Sequence, residues 1–244
     1  MVTAAGQALL DAFDRIVVIN LASRKDRLRE ISEQLGRLGL SFDHSKLFRF
    51  DACRFDKPAG FPTTGTRGCF HSHMGVWQEA LARGDGSVLL LEDDLDLASD
   101  IEARLPPALA QLAASDWSIF YGAVLEWESA QAPTTPIAMA QSDEPILGGH
   151  FIAMRGAALA GIGRYLSSIA QRPAGSPEGG PMHVDGAYGW FRKANPHLTT
   201  KIAVPDLGFQ RSSRTDIHAL GIKDRLPIIR QAVEMVRRLR RRLR

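Results

Sequence analysis

Arg15-Ile16-Val17-Val18-Ile19-Asn20-Leu21 is the stretch on which the fold turns. Four consecutive β-branched residues, Ile16 to Ile19, leave no polar face. That is the pattern of a strand covered on both sides, as in parallel sheets flanked by helices. A helical stripe follows at once, with Leu28, Ile31, Leu35 and Leu38 recurring at spacings of three, four and three. Ser23 stands where an N-cap is expected, and Gly39 where the helix stops.

Outward from this β-α unit the alternation continues. Residues 41–65 read as irregular, punctuated by Pro58, Gly60, Pro62 and Gly65. Cys69 to Arg83 reads as a helix ended by Gly84. Ser87-Val88-Leu89-Leu90-Leu91 reads as a second buried strand. Residues 100–114 read as a helix that Pro106 and Pro107 must begin or interrupt. Residues 117–124 read as a third strand, 126–145 as a long loop, and 146–154 as a strand broken by Gly148-Gly149. A helix over 156–171, a flexible stretch over 172–181, a helix over 185–193 and a strand over 199–204 complete the pattern. There is no internal repeat. The expectation is an α/β fold with a Rossmann-type, mostly parallel sheet flanked by helices.

Composition narrows the class. With 244 residues, 45% hydrophobic and 23% charged, the chain can bury a substantial core and is neither disordered nor of low complexity. No apolar run reaches the roughly 18 residues of a membrane span. The N-terminus shows no basic segment of a secretory signal. Two cysteines, Cys53 and Cys69, do not make a disulfide framework, and a reducing cytoplasm is expected. The net charge of +3 hides an asymmetry. Residues 225–244 hold eight arginines and one glutamate, +7, so the remainder carries 3 − 7 = −4. A slightly acidic body argues against nucleic acid as a partner.

Leu91 runs directly into Glu92-Asp93-Asp94. In open α/β sheets ligands sit beyond the carboxyl ends of the strands. Three adjacent acids there repel one another unless a cation intervenes, and carboxylate oxygens suit magnesium or manganese. The competing reading is a solvated turn that caps the next helix. Asp96 reads as a surface acid. Cys69, His71 and His73 alternate: on a strand they would face one way and resemble a transition-metal site, but on a helix, which the context favours, they diverge. His73 and Trp77, four apart, then form a packed pair.

These blocks occur in a recognisable order. Val18-Ile19-Asn20-Leu21 is followed by Arg24-Lys25-Asp26-Arg27, then Gly68-Cys69-Phe70-His71-Ser72-His73 with Trp77, then Leu91-Glu92-Asp93-Asp94. Weaker echoes are Gly149-His150-Phe151-Ile152-Ala153-Met154 with Gly156-Ala157, then Val184-Asp185, and Pro205 with Gln210 and Asp216-Ile217. In these blocks the chain resembles glycosyltransferase family 25, which includes lipopolysaccharide and lipooligosaccharide glycosyltransferases and collagen galactosyltransferases. It departs from the family pattern at Thr66-Arg67, where an acid is common, and at His71, where a small or apolar residue is commoner.

The resemblance implies a GT-A-like fold over residues 1–222. It implies an inverting, metal-dependent transfer of a sugar, galactose foremost, from a UDP-sugar to a hydroxyl of a cell-surface glycan such as lipopolysaccharide. Asn20, Leu21, Arg24, Arg27, His73, Glu92, Asp93 and Gln210 would address the donor. Asp94 and Asp93 would ligate Mn²⁺ or Mg²⁺, and Asp185 would be the general base. Against these stand plainer roles: solvated faces for Arg24 and Arg27, a structural His73, and an N-cap for Asp185. Arg211, Arg214 and His218 are weaker candidates near the diphosphate or metal. Two rival functions use the same residues, a metal-dependent phosphohydrolase and a catalytically silent nucleotide- or carbohydrate-binding module. Finally, residues 223–244 read as a basic amphipathic helix. Its Arg237–Arg244 end suits an anionic membrane surface, which would hold the enzyme peripherally on the inner face near a lipid-linked glycan acceptor.

Overall fold

The computed structural model describes residues 1–128 and 135–211. The basic segment 223–244, Arg214, Asp216-Ile217 and His218 lie outside the described residues. The elements in chain order are α1 (Ala4–Ala12), β1 (Arg15–Asn20), α2 (Lys25–Arg37), β2 (Leu47–Asp51), α3 (Thr64–Arg83), β3 (Ser87–Glu92), β4 (Leu95–Leu97) and α4 (Ile101–Ala113). They continue with β5 (Ile119–Ala123), β6 (Ile137–Ala140), β7 (Phe151–Arg155), α5 (Gly156–Gln171), α6 (Val184–Ala194), β8 (Thr200–Ala203) and β9 (Gly208–Gln210).

Seven strands form one sheet in the order β2-β1-β3-β7-β5-β8-β6. β1 lies parallel to β2 and β3, and β5 parallel to β8. β7 runs antiparallel between β3 and β5, and β6 is an antiparallel edge. Five strands thus point one way and two the other, so the sheet is mixed. The doubly buried strands behave as their composition dictates. All six residues of β1 are buried, and successive side chains alternate between two cores. Ile16, Val18, Leu89 and Leu91 join the core under α1, α2 and α4. Val17, Ile19, Val88 and Leu90 join the core under α3, α5 and α6. The result is a three-layer α/β/α sandwich.

Several local expectations are corrected. Residues 41–65 contain β2, and 126–145 contain β6; both are short sheet-edge strands. The strand expected over 146–154 begins only at Phe151. Helix α2 starts at Lys25 with Arg24, not Ser23, in the capping position and without a side-chain cap. Gly39 does follow its end, in the left-handed region at φ 69°. Helix α3 begins five residues before Cys69, where the Thr63 hydroxyl accepts the Thr66 amide at 2.9 Å. Helix α4 continues through Pro106 and Pro107. The carbonyls these prolines leave unpaired belong to Glu102 and Ala103, both exposed, where water can satisfy them.

Beyond β3 the chain reverses into β4, which pairs antiparallel with β9. This two-stranded sheet brings residues 95–97 and 208–210 together and so carries Gln210 back to the end of β3.

Candidate functional site

A cavity of about 500 Å³ opens beyond the carboxyl ends of β1 and β3, within the usual range for small-molecule sites. Its floor is Ile19, Leu21, Glu92 and Asp93 from the two strand ends. One wall is the start of α2, with Ser23, Arg24 and Arg27. A second is the chain after β2, with Cys53, Arg54, Phe55 and Asp56. The third is the N-terminal half of α3, with Gly68, Cys69, Ser72 and His73 among its residues. Helix α3 sits close against the second wall: a Cβ at Gly68 would meet the Cys53 carbonyl oxygen at 2.6 Å.

The three acids at the end of β3 are placed differently. Asp93 faces the cavity, and both of its oxygens are engaged from behind. Asn20 Nδ2 donates to Oδ2 at 2.7 Å, and Arg27 donates to Oδ1 at 3.0 Å. Asp94 turns beneath the cavity, 3.3 Å from the same guanidinium nitrogen. Gln210 Nε2 lies 3.4 Å from both Asp94 oxygens, and the Arg211 amide donates to the Asp94 carbonyl at 2.7 Å. Glu92 faces His73, with Oε1 3.3 Å from Nε2.

Burial and crowding set the electrostatics. Burial, and after it the Glu92 charge, raises the Asp94 carboxyl to about 7, with Arg27 opposing. Burial also raises Asp93, against the pull of Arg27 and Asn20. Burial pushes Glu92 up too, but His73, His150 and Arg27 outweigh it and hold this carboxyl below its ordinary value. Among the described residues Arg27 is the one guanidinium in contact with Asp93 and Asp94, while Glu92 faces His73; a hard divalent cation would relieve the crowding of the three acids. The oxygen donors of Asp93 and Asp94 fit such an ion, since a carboxylate oxygen that already accepts one N–H keeps a lone pair for a metal.

Behind the acids lies a buried polar chain. Trp77 Nε1 donates to the Tyr188 hydroxyl at 2.8 Å, and that hydroxyl lies 2.8 Å from His73 Nδ1. His73 and Trp77 are thus joined through Tyr188 rather than simply packed on each other. His150, also buried, has no hydrogen-bond partner on either ring nitrogen among the described residues, and burial lowers its pKa toward the neutral imidazole.

The other anticipated residues scatter around this centre. Leu21 and Arg24 line the cavity, and Arg24 also grips Asp26 at 2.9 Å. Asn20 lies beneath the floor as the support of Asp93. Asp185 does not line the cavity. It sits in the first turn of α6, where His183 takes the capping position, and its oxygens accept the Gly148 amide at 3.3 Å and the Gly186 amide at 2.8 Å. Asp96, read as a surface acid, accepts Arg211, which also pairs with Glu30; this pins β4 and β9 to α2. His71 turns away from His73, its Nδ1 donating to the Arg67 carbonyl of its own helix at 2.9 Å, with its ring against Phe55 and Phe61. The wall of residues 53–56 was not anticipated. Its only sequence signal is Arg54 and Asp56 flanking an aromatic inside an irregular stretch.

The ordered blocks and the cavity they surround agree with a family match: glycosyltransferase family 25 (LPS biosynthesis protein) aligns with residues 13–135, half of the chain. The chain belongs to glycosyltransferase family 25. Among family 25 relatives, the human protein named inactive glycosyltransferase 25 family member 3 is 31% identical over 128 residues, covering 45% of this chain and 21% of that one. Zebrafish procollagen galactosyltransferase 1 is 30% identical over 127 residues, again 45% and 21%. The chain thus spans about a fifth of the length of these curated relatives. A solved glycosyltransferase involved in glycosylating the major capsid of PBCV-1 aligns at 11% identity and TM-score 0.40, covering 78% of this chain and 93% of that one. Among the described residues no helix is long and apolar enough to cross a membrane.

Proposed function

We propose that this chain is a metal-dependent, inverting glycosyltransferase that moves a sugar, galactose foremost, from a UDP-sugar to a hydroxyl of a cell-surface glycan. The observation that carries the reading is the cavity at the carboxyl ends of β1 and β3, whose acidic floor holds more negative charge than Arg27 neutralises. Family membership supplies sugar transfer in general, and the names of the galactosyltransferase relatives favour galactose.

In this reading the donor's nucleoside diphosphate occupies the cavity. Asp93 and Asp94 hold Mn²⁺ or Mg²⁺, which when bound supplies Lewis-acid stabilisation of the departing diphosphate. Arg24, on the rim at the start of α2, meets the phosphates with help from the helix N-terminus. Arg27 and Asn20 keep the Asp93 carboxylate aimed at the cavity. Asp185, oriented by the Gly148 and Gly186 amides, takes the acceptor hydroxyl proton as the new glycosidic bond forms and the sugar–phosphate bond breaks.

One assay separates this reading from its rivals: release of UDP from UDP-galactose with Mn²⁺, with and without deacylated lipopolysaccharide acceptors. Release that depends on an acceptor is expected. Equal release without acceptor would identify a phosphohydrolase. Donor binding with no turnover on any acceptor would identify a silent module, a reading that the relative named inactive keeps in view.

A further inference from the structure

The mechanism above leaves Cys69 unused. Cys69 and His73 stand four residues apart on α3 and share one face of the helix. Glu92, at the end of β3, faces them. The cysteine sulfur, an imidazole nitrogen and a carboxylate oxygen all lie within 4.8 Å of one another. All three residues line the cavity, so an ion can reach them. His73 is fully buried, yet among the described residues its Nε2 makes no hydrogen bond; it rests 3.3 Å from Glu92 Oε1 without the geometry of one.

That separation is informative. A tetrahedral zinc ion with Zn–N and Zn–O bonds of about 2.0–2.1 Å places those two ligand atoms about 3.3–3.4 Å apart. The nitrogen and oxygen already stand at this distance. A Zn–S bond of about 2.3 Å then asks for a sulfur about 3.6 Å from each, a closure of about an ångström from the outer limit of the cluster. The other ring nitrogen, Nδ1, is held by Tyr188, itself held by Trp77. A zinc-ligating histidine is usually oriented by a partner on its second nitrogen in this way. Thiolate and imidazole ligands also select zinc over the hard cations that suit Asp93 and Asp94.

We propose that Cys69 Sγ, His73 Nε2 and a Glu92 carboxylate oxygen form a zinc site whose fourth position opens into the cavity. It is separate from the hard-cation position at Asp93 and Asp94. On binding, the Cys69 S–H proton leaves to solvent as the zinc–thiolate bond forms. The site does not depend on the transferase reading, and its test reads the metal directly.

Cobalt(II) titrated into the full chain is expected to give a thiolate-to-cobalt charge-transfer band that zinc displaces. The band should persist in Cys53→Ser and Asp94→Asn and vanish in Cys69→Ser. Tyr188→Phe should weaken zinc binding by about 10–100-fold, the usual cost of losing an outer-shell partner. X-ray absorption at the zinc edge on folded Cys53→Ser, with one equivalent of zinc, should show one sulfur and otherwise nitrogen or oxygen ligands; this holds the test open if Cys69→Ser does not fold. No thiolate band, a band that survives Cys69→Ser, or a sulfur-free shell in Cys53→Ser would overturn the proposal.

Discussion

Asp93→Asn is expected to lower kcat/KM for sugar transfer by at least about 100-fold, because a Lewis-acid contribution is worth several kcal/mol and each 1.4 kcal/mol is tenfold. Of the three acids, Asp93 alone both faces the cavity and has its two oxygens set by opposing donors, Asn20 and Arg27. An asparagine keeps the shape but turns one acceptor into an NH₂ group. Whichever way the amide is flipped, a donor meets a donor, at Asn20 or at Arg27. The variant therefore loses cation affinity and also leaves a buried polar group unsatisfied, at about 1–3 kcal/mol. Initial rates across a manganese series check this. The parent should saturate with metal, and the variant should respond weakly at any concentration. A variant with parental rates and parental metal dependence would remove Asp93 from the mechanism.

Arg27→Met should have the largest effect on stability. The Arg27 guanidinium is nearly buried and contacts both Asp93 and Asp94. Without it, three acids crowd one strand end and, among the described residues, no other guanidinium contacts Asp93 or Asp94. Breaking a buried ion pair by removing one partner costs about 3–5 kcal/mol, which for a chain of this size lowers Tm by roughly 6–20 °C. Methionine retains most of the arginine's apolar stem, so the loss reports charge rather than volume. Manganese should restore part of the lost Tm and a chelator should abolish the rescue, a signature that packing alone would not produce. Thermal denaturation under the two conditions reads this. A Tm within 2 °C of the parent on thermal denaturation, about the shift that 1 kcal/mol produces, would mean that the acids do not carry the charge assigned to them.

The parts of the fold that the sequence exposed are those where a residue's environment is uniform along an element. Ile16–Ile19 and Val88–Leu91 are apolar on both faces because helices cover both sides, and no other element fits such a run. Edge strands lack that signature. In β2, only Leu47 is fully buried and the rest alternate toward solvent, so Phe48-Arg49-Phe50-Asp51 resembles loop. The four residues of β6 are similarly modest. Strand direction leaves no mark on composition either. Phe151–Arg155 is as buried as β3, yet it runs antiparallel beside it, which is why the mostly parallel sheet is also a mixed one.

The site divides along the same physical line. Glu92, Asp93 and Asp94 are conspicuous because adjacent acids at a buried strand end need an explanation wherever they occur. The groups that organise them are distant in sequence and ordinary in type. Asn20 supports Asp93 across 73 residues, and Tyr188 holds His73 across 115. Gln210 reaches Asp94 only because β9 pairs with β4. Such contacts follow from topology rather than from local pattern. Asp185 shows the converse: its sequence position fits a helix cap, but the cap falls to His183 and the carboxylate instead ties α6 to Gly148.

The most direct test of the central claim is calorimetry of UDP-galactose binding, alongside other UDP-, GDP- and CMP-sugars, first with manganese and then with chelator. Saturable binding of a UDP-sugar that requires the metal and is lost in Asp93→Asn is expected. Binding that is unchanged by chelator, or the absence of binding to any of these donors in the presence of manganese, would contradict it.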